Sequence, residues 1–337
     1  MTPHSVSMPI VSFKKTWSIM LIILLLLFLV DLAWGSVRIP FREIIATFLG
    51  RSTNEINTEI LFNFRLPKAI TAILAGSALS TAGLMMQTFF RNPLADPYIL
   101  GVSSGASLGV ALVMMSTGIL LGGLGSWFIV FAAIAGAASI MLLVVGVSFK
   151  VRQTVSLLLV GIMFGTIVSS VVGILQYFSN PDAIKLFVMW NLGSLSAVSW
   201  QHLQVLVPLV MVGLLMAFLL QKRLDGLLLG ENYARGLGIP IMQTRVIIVL
   251  ITSLLAGSVT AFTGPIGFVG IAIPHIARGL FKTARHRILI PASMVLGAML
   301  ILVCDVVSQF STYTLPINTI SSLFGAPVII WIILKRK

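Results

Sequence analysis

The chain has 337 residues, 58% of them hydrophobic and only 9% charged, with a mean hydropathy of +1.08. Soluble domains carry about a quarter charged residues, so this composition excludes one and points to an all-α polytopic membrane protein of about ten transmembrane helices, at roughly 20 apolar residues per span. The net charge of +13 does not mark a nucleic-acid binder, because the basic residues sit in short stretches between apolar runs.

The runs predict spans over 16–35, 66–88, 97–116, 126–148, 154–177, 202–221, 245–264, 267–282, 289–309 and 318–334, within one domain filling residues 1–337. The first follows Lys14 and Lys15 as a signal peptide would, but it is longer than the usual apolar core of about 7–15 residues and reads as an uncleaved helix. Ile39 to Phe62 is amphipathic and is expected at the surface. Pro93 and Pro97 follow the second run, so a helix should stop near Asn92 and another start near Pro97, with Asn92, Pro93, Asp96 and Pro97 forming a structural break. The fifth run has a small-residue face of Gly161, Gly165, Ser169, Ser170 and Gly173. Between the fifth and sixth runs, Asn180-Pro181-Asp182 reads as a helix start, and Trp190 and Trp200 suit the interface.

Leu224 to Thr244 carries too much apolar surface for a loop: Leu227, Leu228, Leu229, Tyr233, Ala234 and Leu237. Glu231 lies near a helix start and Arg235 follows four residues later, an expected intrahelical pair, before Gly236 and Gly238 end the helix ahead of Pro240. Further on, Gly264, Pro265, Gly267, Gly270 and Pro274 interrupt what would be one long span, and predict a tight reversal packed inside the bundle.

Ten spans put both ends on one side. That side holds Lys14, Lys15, Arg91, Lys150, Arg152, Lys222, Arg223, Arg235, Arg245, Arg278, Lys282, Arg285, Arg287, Lys335, Arg336 and Lys337, sixteen of the 22 basic residues. The other side keeps Arg38, Arg42, Arg51, Arg65, Lys68 and Lys185. The asymmetry places both termini in the cytoplasm.

Catalytic signatures are missing. There is no G-x-x-x-x-G-K-[ST] or H-E-x-x-H. His4, His202, His275 and His286 are too scattered for a metal site, and His275 reads as structural. The single cysteine, Cys304, reads as a small core residue. Asp31 and Asp305 lie near span ends, which favours a structural role over a proton relay. Energy for any transport must then come from elsewhere, or the protein is passive.

An ordered series of segments resembles the FecCD-type permeases of ABC importers for iron chelates, haem and cobalamin. These are RLPKAITAILAGSALSTAGLMMQTFFRNPLADPYILGVSSGASLG from Arg65, LLVGIMFGTIVSS from Leu158, LLLGENYARGLGIP from Leu227, GPIGFVGIAIPHIAR from Gly264, HRILIPASMVLGAMLILVCDVVSQ from His286 and LPINTISSLFGAPVIIWIILKR from Leu315. The resemblance implies a vitamin B12 permease-like bundle in a bacterial cytoplasmic membrane, with a FecCD-type core over about 60–336. It implies a homodimer with its pathway on the two-fold axis, two cytoplasmic ATPase subunits and a periplasmic or lipid-anchored binding protein. Lipid is the expected surrounding, and no cofactor, metal or nucleic acid is expected.

The resemblance also assigns roles. Arg65 and Lys68 would dock the binding protein, although Lys68 replaces a frequent arginine and Gln309 stands where some relatives carry another. Within a coupling segment of about 224–244, Leu227, Leu228, Leu229, Gly230, Glu231, Ala234, Arg235, Leu237 and Gly238 would engage the ATPase. Gly161, Gly165, Val168, Val171, Val172, Leu175 and Phe178 would line the pathway or its gates, or else simply pack helices. The expected cargo is an iron chelate, with cobalamin as the alternative. An ion-driven secondary transporter is the rival from another class, and an intramembrane enzyme lacks a convergent catalytic set.

Overall fold

A computed structural model describes residues 10–51, 54–116, 126–151, 153–310 and 314–335. His4, Arg152, Arg336 and Lys337 lie outside the described residues. Seven described helices are long and apolar enough to cross a membrane, and three shorter apolar ones complete a set of ten at the expected positions. The ten are α1 (Ile10–Ala33), α4 (Leu66–Phe89), α5 (Val102–Ser116), α6 (Ser126–Ser148), α7 (Thr154–Tyr177), α9 (Trp200–Leu219), α12 (Ile241–Thr263), α13 (Val269–Phe281), α14 (His286–Ser308) and α15 (Ile317–Lys335). Short helices join them: α2 (Phe41–Phe48), α3 (Glu55–Glu59), α8 (Pro181–Asn191), α10 (Gln221–Leu228) and α11 (Glu231–Gly236).

Side-chain contacts define two ends of the bundle. At the near end, where α1 begins, Trp17 packs on Phe281 with ring centroids 5.2 Å apart. At the far end, where α1 finishes, the start of α4 meets the end of α14 through Lys68 and Asp305.

The amphipathic stretch 39–62 divides, contrary to its reading as one surface piece. Only α2 lies there as an amphipathic surface helix, burying Ile44 and Thr47. Asn54 then caps a new helix by accepting the Asn57 N–H at 3.1 Å. From Glu55 a continuous rod runs through a π-helical turn, Ile60–Arg65, into α4.

That rod is the centre of the bundle. Of its most apolar stretch 89% is buried, against 17% for α1 and 22% for α7. A helix apolar all round belongs inside, and α4 adds small residues that admit close neighbours. A methyl group on Gly76 would lie 2.1 Å from the Gly297 carbonyl oxygen, so α4 and α14 touch backbone to backbone.

Both expected interruptions are present. Regular helix stops at Phe89, Arg91 adopts φ 48°, and helix resumes at Val102 after a 3₁₀ turn over Pro97–Leu100. Asp96 starts that turn by accepting the Tyr98 N–H at 2.8 Å. The second interruption reverses the chain between α12 and α13, where Gly264 has φ 74° and a side chain there would strike the Trp190 carbonyl at 2.3 Å. The Tyr98 hydroxyl accepts from Thr260 Oγ1 at 3.1 Å and from the Ile266 N–H at 3.3 Å, which ties the two interruptions together.

Pro274 departs from expectation: it lies inside α13 and does not break it. A proline there leaves the carbonyl four residues back without its helical donor. That carbonyl, Gly270, accepts instead from Gln87 Nε2 on α4 at 3.2 Å, and Ile271 does so at 3.1 Å. Gln87 also accepts from Arg278 at 2.6 Å, so one amide splints the proline turn.

Candidate functional site

At the near end, α10 and α11 form a compact helix pair. Gly230 joins them at φ 105°, and Ala234 is fully buried while its carbonyl accepts the Ile239 N–H at 3.0 Å. Leu224, Leu227 and Ala234 face inward and hold the pair together, whereas Leu228 is half-buried. Leu229, Tyr233 and Leu237 are about 60% exposed in an otherwise charged region. Gly238 turns the chain out of the pair at φ 78°. A cleft of 1120 Å³ opens beside them, bounded by Phe90 and Arg91 of the α4 exit and by Gln153 ahead of α7.

Two acids bolt this pair to the bundle. Glu231 Oε1 pairs with Arg245 Nη2 at 3.3 Å, a partner on α12 that differs from the expected Arg235. Arg235 is exposed, on the rim of a smaller pocket shared with Glu231 and Arg245. Arg245 also donates to the Val151 carbonyl at 2.8 Å and lies 5.8 Å from the Phe89 ring. Asp225 Oδ1 meets His286 Nδ1 at 2.7 Å and accepts the His286 N–H at 2.8 Å, while His286 Nε2 reaches Thr88 Oγ1 at 2.8 Å. Burial pushes the Asp225 carboxyl up, but the His286 contacts outweigh it and hold the group below its ordinary value.

Sequence spacing missed Asp225, Arg245 and the His286–Thr88 contact. A signal was available: Asp225 and Glu231 are the only acids between Lys222 and Arg285, and each becomes an anchor.

The far end carries Arg65 and Lys68. Both are buried, at 6% and 7% exposure. Lys68 Nζ meets Asp305 Oδ2 at 2.8 Å. Arg65 donates to the Leu32 carbonyl at 2.6 Å and to the Val37 carbonyl. Asp31, also buried, lies within electrostatic reach of Asp305, Lys68 and Arg65. Gln309 turns back onto Asp305 Oδ2 at 3.1 Å. These bases thus neutralise acids and close a turn inside the protein, while still bordering a cleft of 870 Å³.

The expected pathway residues split between two faces of α7. Gly161, Val168 and Val172 are buried and Gly165 half-buried, with Gly161 set against Ile99 in the Pro97–Leu100 turn and Gly165 against Ser104 at the start of α5. Val171 and Phe178 are exposed, beside an apolar row of Ile162, Met163, Ile167 and Ile174 that is at least 42% exposed. Leu175 is half-buried between the two.

The described residues thus form a helical bundle with interrupted apolar spans and a helix pair with an exposed apolar surface at one end. The sequence profile of the FecCD transport family matches residues 23–335, and the chain belongs to that family. It is 33% identical over 321 residues to the hemin transport system permease protein HmuU of Yersinia pestis, covering 94% of this chain and 95% of that protein. It is 36% identical to the vitamin B12 import system permease protein BtuC of Klebsiella pneumoniae, covering 82% and 83%. Its fold matches a solved metal-chelate-type ABC transporter in an inward-facing conformation with a TM-score of 0.85, at 28% identity, over 96% of this chain and 99% of that one.

Proposed function

We propose that this permease works as a homodimer that passes an iron chelate, a ferric siderophore or haem, into the cytoplasm from an external binding protein. In this reading both termini and the near end lie in the cytoplasm, and two separate ATPase subunits seat on α10 and α11. The observation that carries it is the exposed Leu229, Tyr233 and Leu237 surface on a helix pair anchored by Glu231–Arg245 and Asp225–His286. An apolar patch at a charged end calls for a partner, and a rigid, anchored patch can pass a partner's movement to α12 and α14. The open row on α7 supplies an apolar wall for a second copy and the pathway between them. A wall of this kind holds bulky cargo weakly, which leaves selectivity to the binding protein. Alternation then follows from differential affinity of the partners for the two states.

The relative named for hemin supports the iron-chelate cargo, and the relatives named for vitamin B12 support cobalamin as the second reading. Both are tested by ATP-driven uptake of labelled ferric siderophore, haem and cobalamin into vesicles containing permease, ATPase and binding protein. Leu229→Asp and Glu231→Ala should cut uptake about tenfold relative to ATP hydrolysed. Uptake driven by an ion gradient in vesicles without the ATPase would sink the reading.

A further inference from the structure

At the near end, the contact between Trp17 and Phe281 sets the first turns of α1 beside the last turn of α13, and α14 begins at His286, just beyond. Five cations lie close to that contact in sequence: Lys14 and Lys15 on α1, Lys282 and Arg285 in the turn, and Arg287 on α14. All five are exposed, and none forms an ion pair with a described acid. The acids of this end are already engaged. Asp96 accepts the Tyr98 N–H at 2.8 Å, and Glu231 holds Arg245. Asp225, which lies within electrostatic reach of Arg285, is held by His286. Like charges gathered in this way repel one another, and an external anion relieves the repulsion.

The surroundings say which anion. The most apolar stretch of α1 is only 17% buried, so α1 runs along the periphery of the bundle. Lys14 shares a helical face with Leu21 and Leu25, and Lys15 shares one with Ile22 and Leu26. Those four apolar side chains are each more than half exposed. On α13, Ile276 and Leu280 are exposed as well, one helical turn apart and just ahead of Lys282. Trp17 is half-buried and supplies the amphipathic ring that suits the headgroup level. Cations at the foot of outward apolar rows fit a phospholipid, with its phosphate among the bases and an acyl chain along the row. A carboxylate on a soluble partner would answer the charge and leave the rows uncovered.

We propose that the start of α1 and the turn between α13 and α14 form a binding site for an anionic phospholipid. The phosphodiester sits among Lys14, Lys15, Lys282 and Arg287, and one chain lies along Leu21, Ile22, Leu25 and Leu26. A lipid held there ties the peripheral α1 to α13 and α14. The site is independent of the cargo and of the ATPase seat on α10 and α11.

The test uses the full-length permease in neutral detergent. Its unfolding midpoint is followed as phosphatidylglycerol, phosphatidylcholine or inorganic phosphate is added. Phosphatidylglycerol should raise the wild-type midpoint saturably, and the other two should not. K14Q/K282Q should weaken the apparent affinity for phosphatidylglycerol by about tenfold, with the lipid-free midpoint kept. K14R/K282R, which keeps the charge, should retain wild-type affinity. K150Q/K222Q removes the same charge from exposed near-end positions elsewhere and should also bind like the wild type. Equal losses in the two glutamine doubles would reduce the effect to general surface charge and overturn the site. Unchanged affinity in K14Q/K282Q overturns it too, as does a wild type that responds equally to phosphatidylcholine or to inorganic phosphate. If K14Q/K282Q weakened capture of the purified ATPase and left phosphatidylglycerol binding intact, the patch would belong to that subunit and the lipid assignment would fall.

Discussion

Lys68 and Asp305 sit at 9% and 5% side-chain exposure, 2.8 Å apart, on two helices that touch backbone to backbone, α4 and α14. Taking two charges out of water is costly, and the pair holds only while both members are present. K68A or D305A alone should destabilise the protein by about 3–5 kcal/mol, read by denaturant unfolding in detergent. The double replacement K68M/D305L should lose much less, because no charge is left stranded. Additive losses would show that the pair is not coupled. The sequence marked both residues as notable, but their pairing was not legible, since they lie on different helices and no local spacing relates them.

At the scale of elements, α10 is fastened to α14, a helix far from it in sequence, and α11 to the helix that follows it. The Asp225–His286 contact fastens α10 to the start of α14. The Asp225 carboxyl is held below its ordinary value of 3.8, so the folded state favours its charged form. Its contribution is therefore complete above that value and is lost as pH falls through the lower, folded-state value. The wild type should melt above D225N at neutral pH, and the two unfolding midpoints should converge in acid. A constant gap across the titration would remove Asp225 from the acid response. The same scale explains the Pro274 correction. Composition marks a proline as a break, yet an amide from α4 replaces the missing donor and the helix continues.

At the scale of the molecule, the two ends differ in chemistry. The near end collects most of the basic residues and the exposed coupling surface, and the far end buries a group of two acids and two bases under one open arginine. Cysteine labelling tests the orientation directly, because the native Cys304 is fully buried and should stay silent. S36C should react with a membrane-impermeant maleimide in intact cells, and N232C only after permeabilisation. The opposite pattern would invert the topology and with it the site of ATPase docking.

Ten spans, the break at Pro93–Pro97, the reversal at Gly264 and the family were all legible in the chain, because hydropathy and backbone punctuation are local properties. The placement of charge and side chains was decided only in three dimensions. The sequence did not show that Lys68 meets Asp305, that Arg65 bonds the Leu32 and Val37 carbonyls, that Glu231 takes Arg245 in place of Arg235, or that Gly161 and Gly165 pack against Ile99 and Ser104. Inside a bilayer a polar group must find its partner within the protein, and which partner it finds depends on helices far apart in sequence.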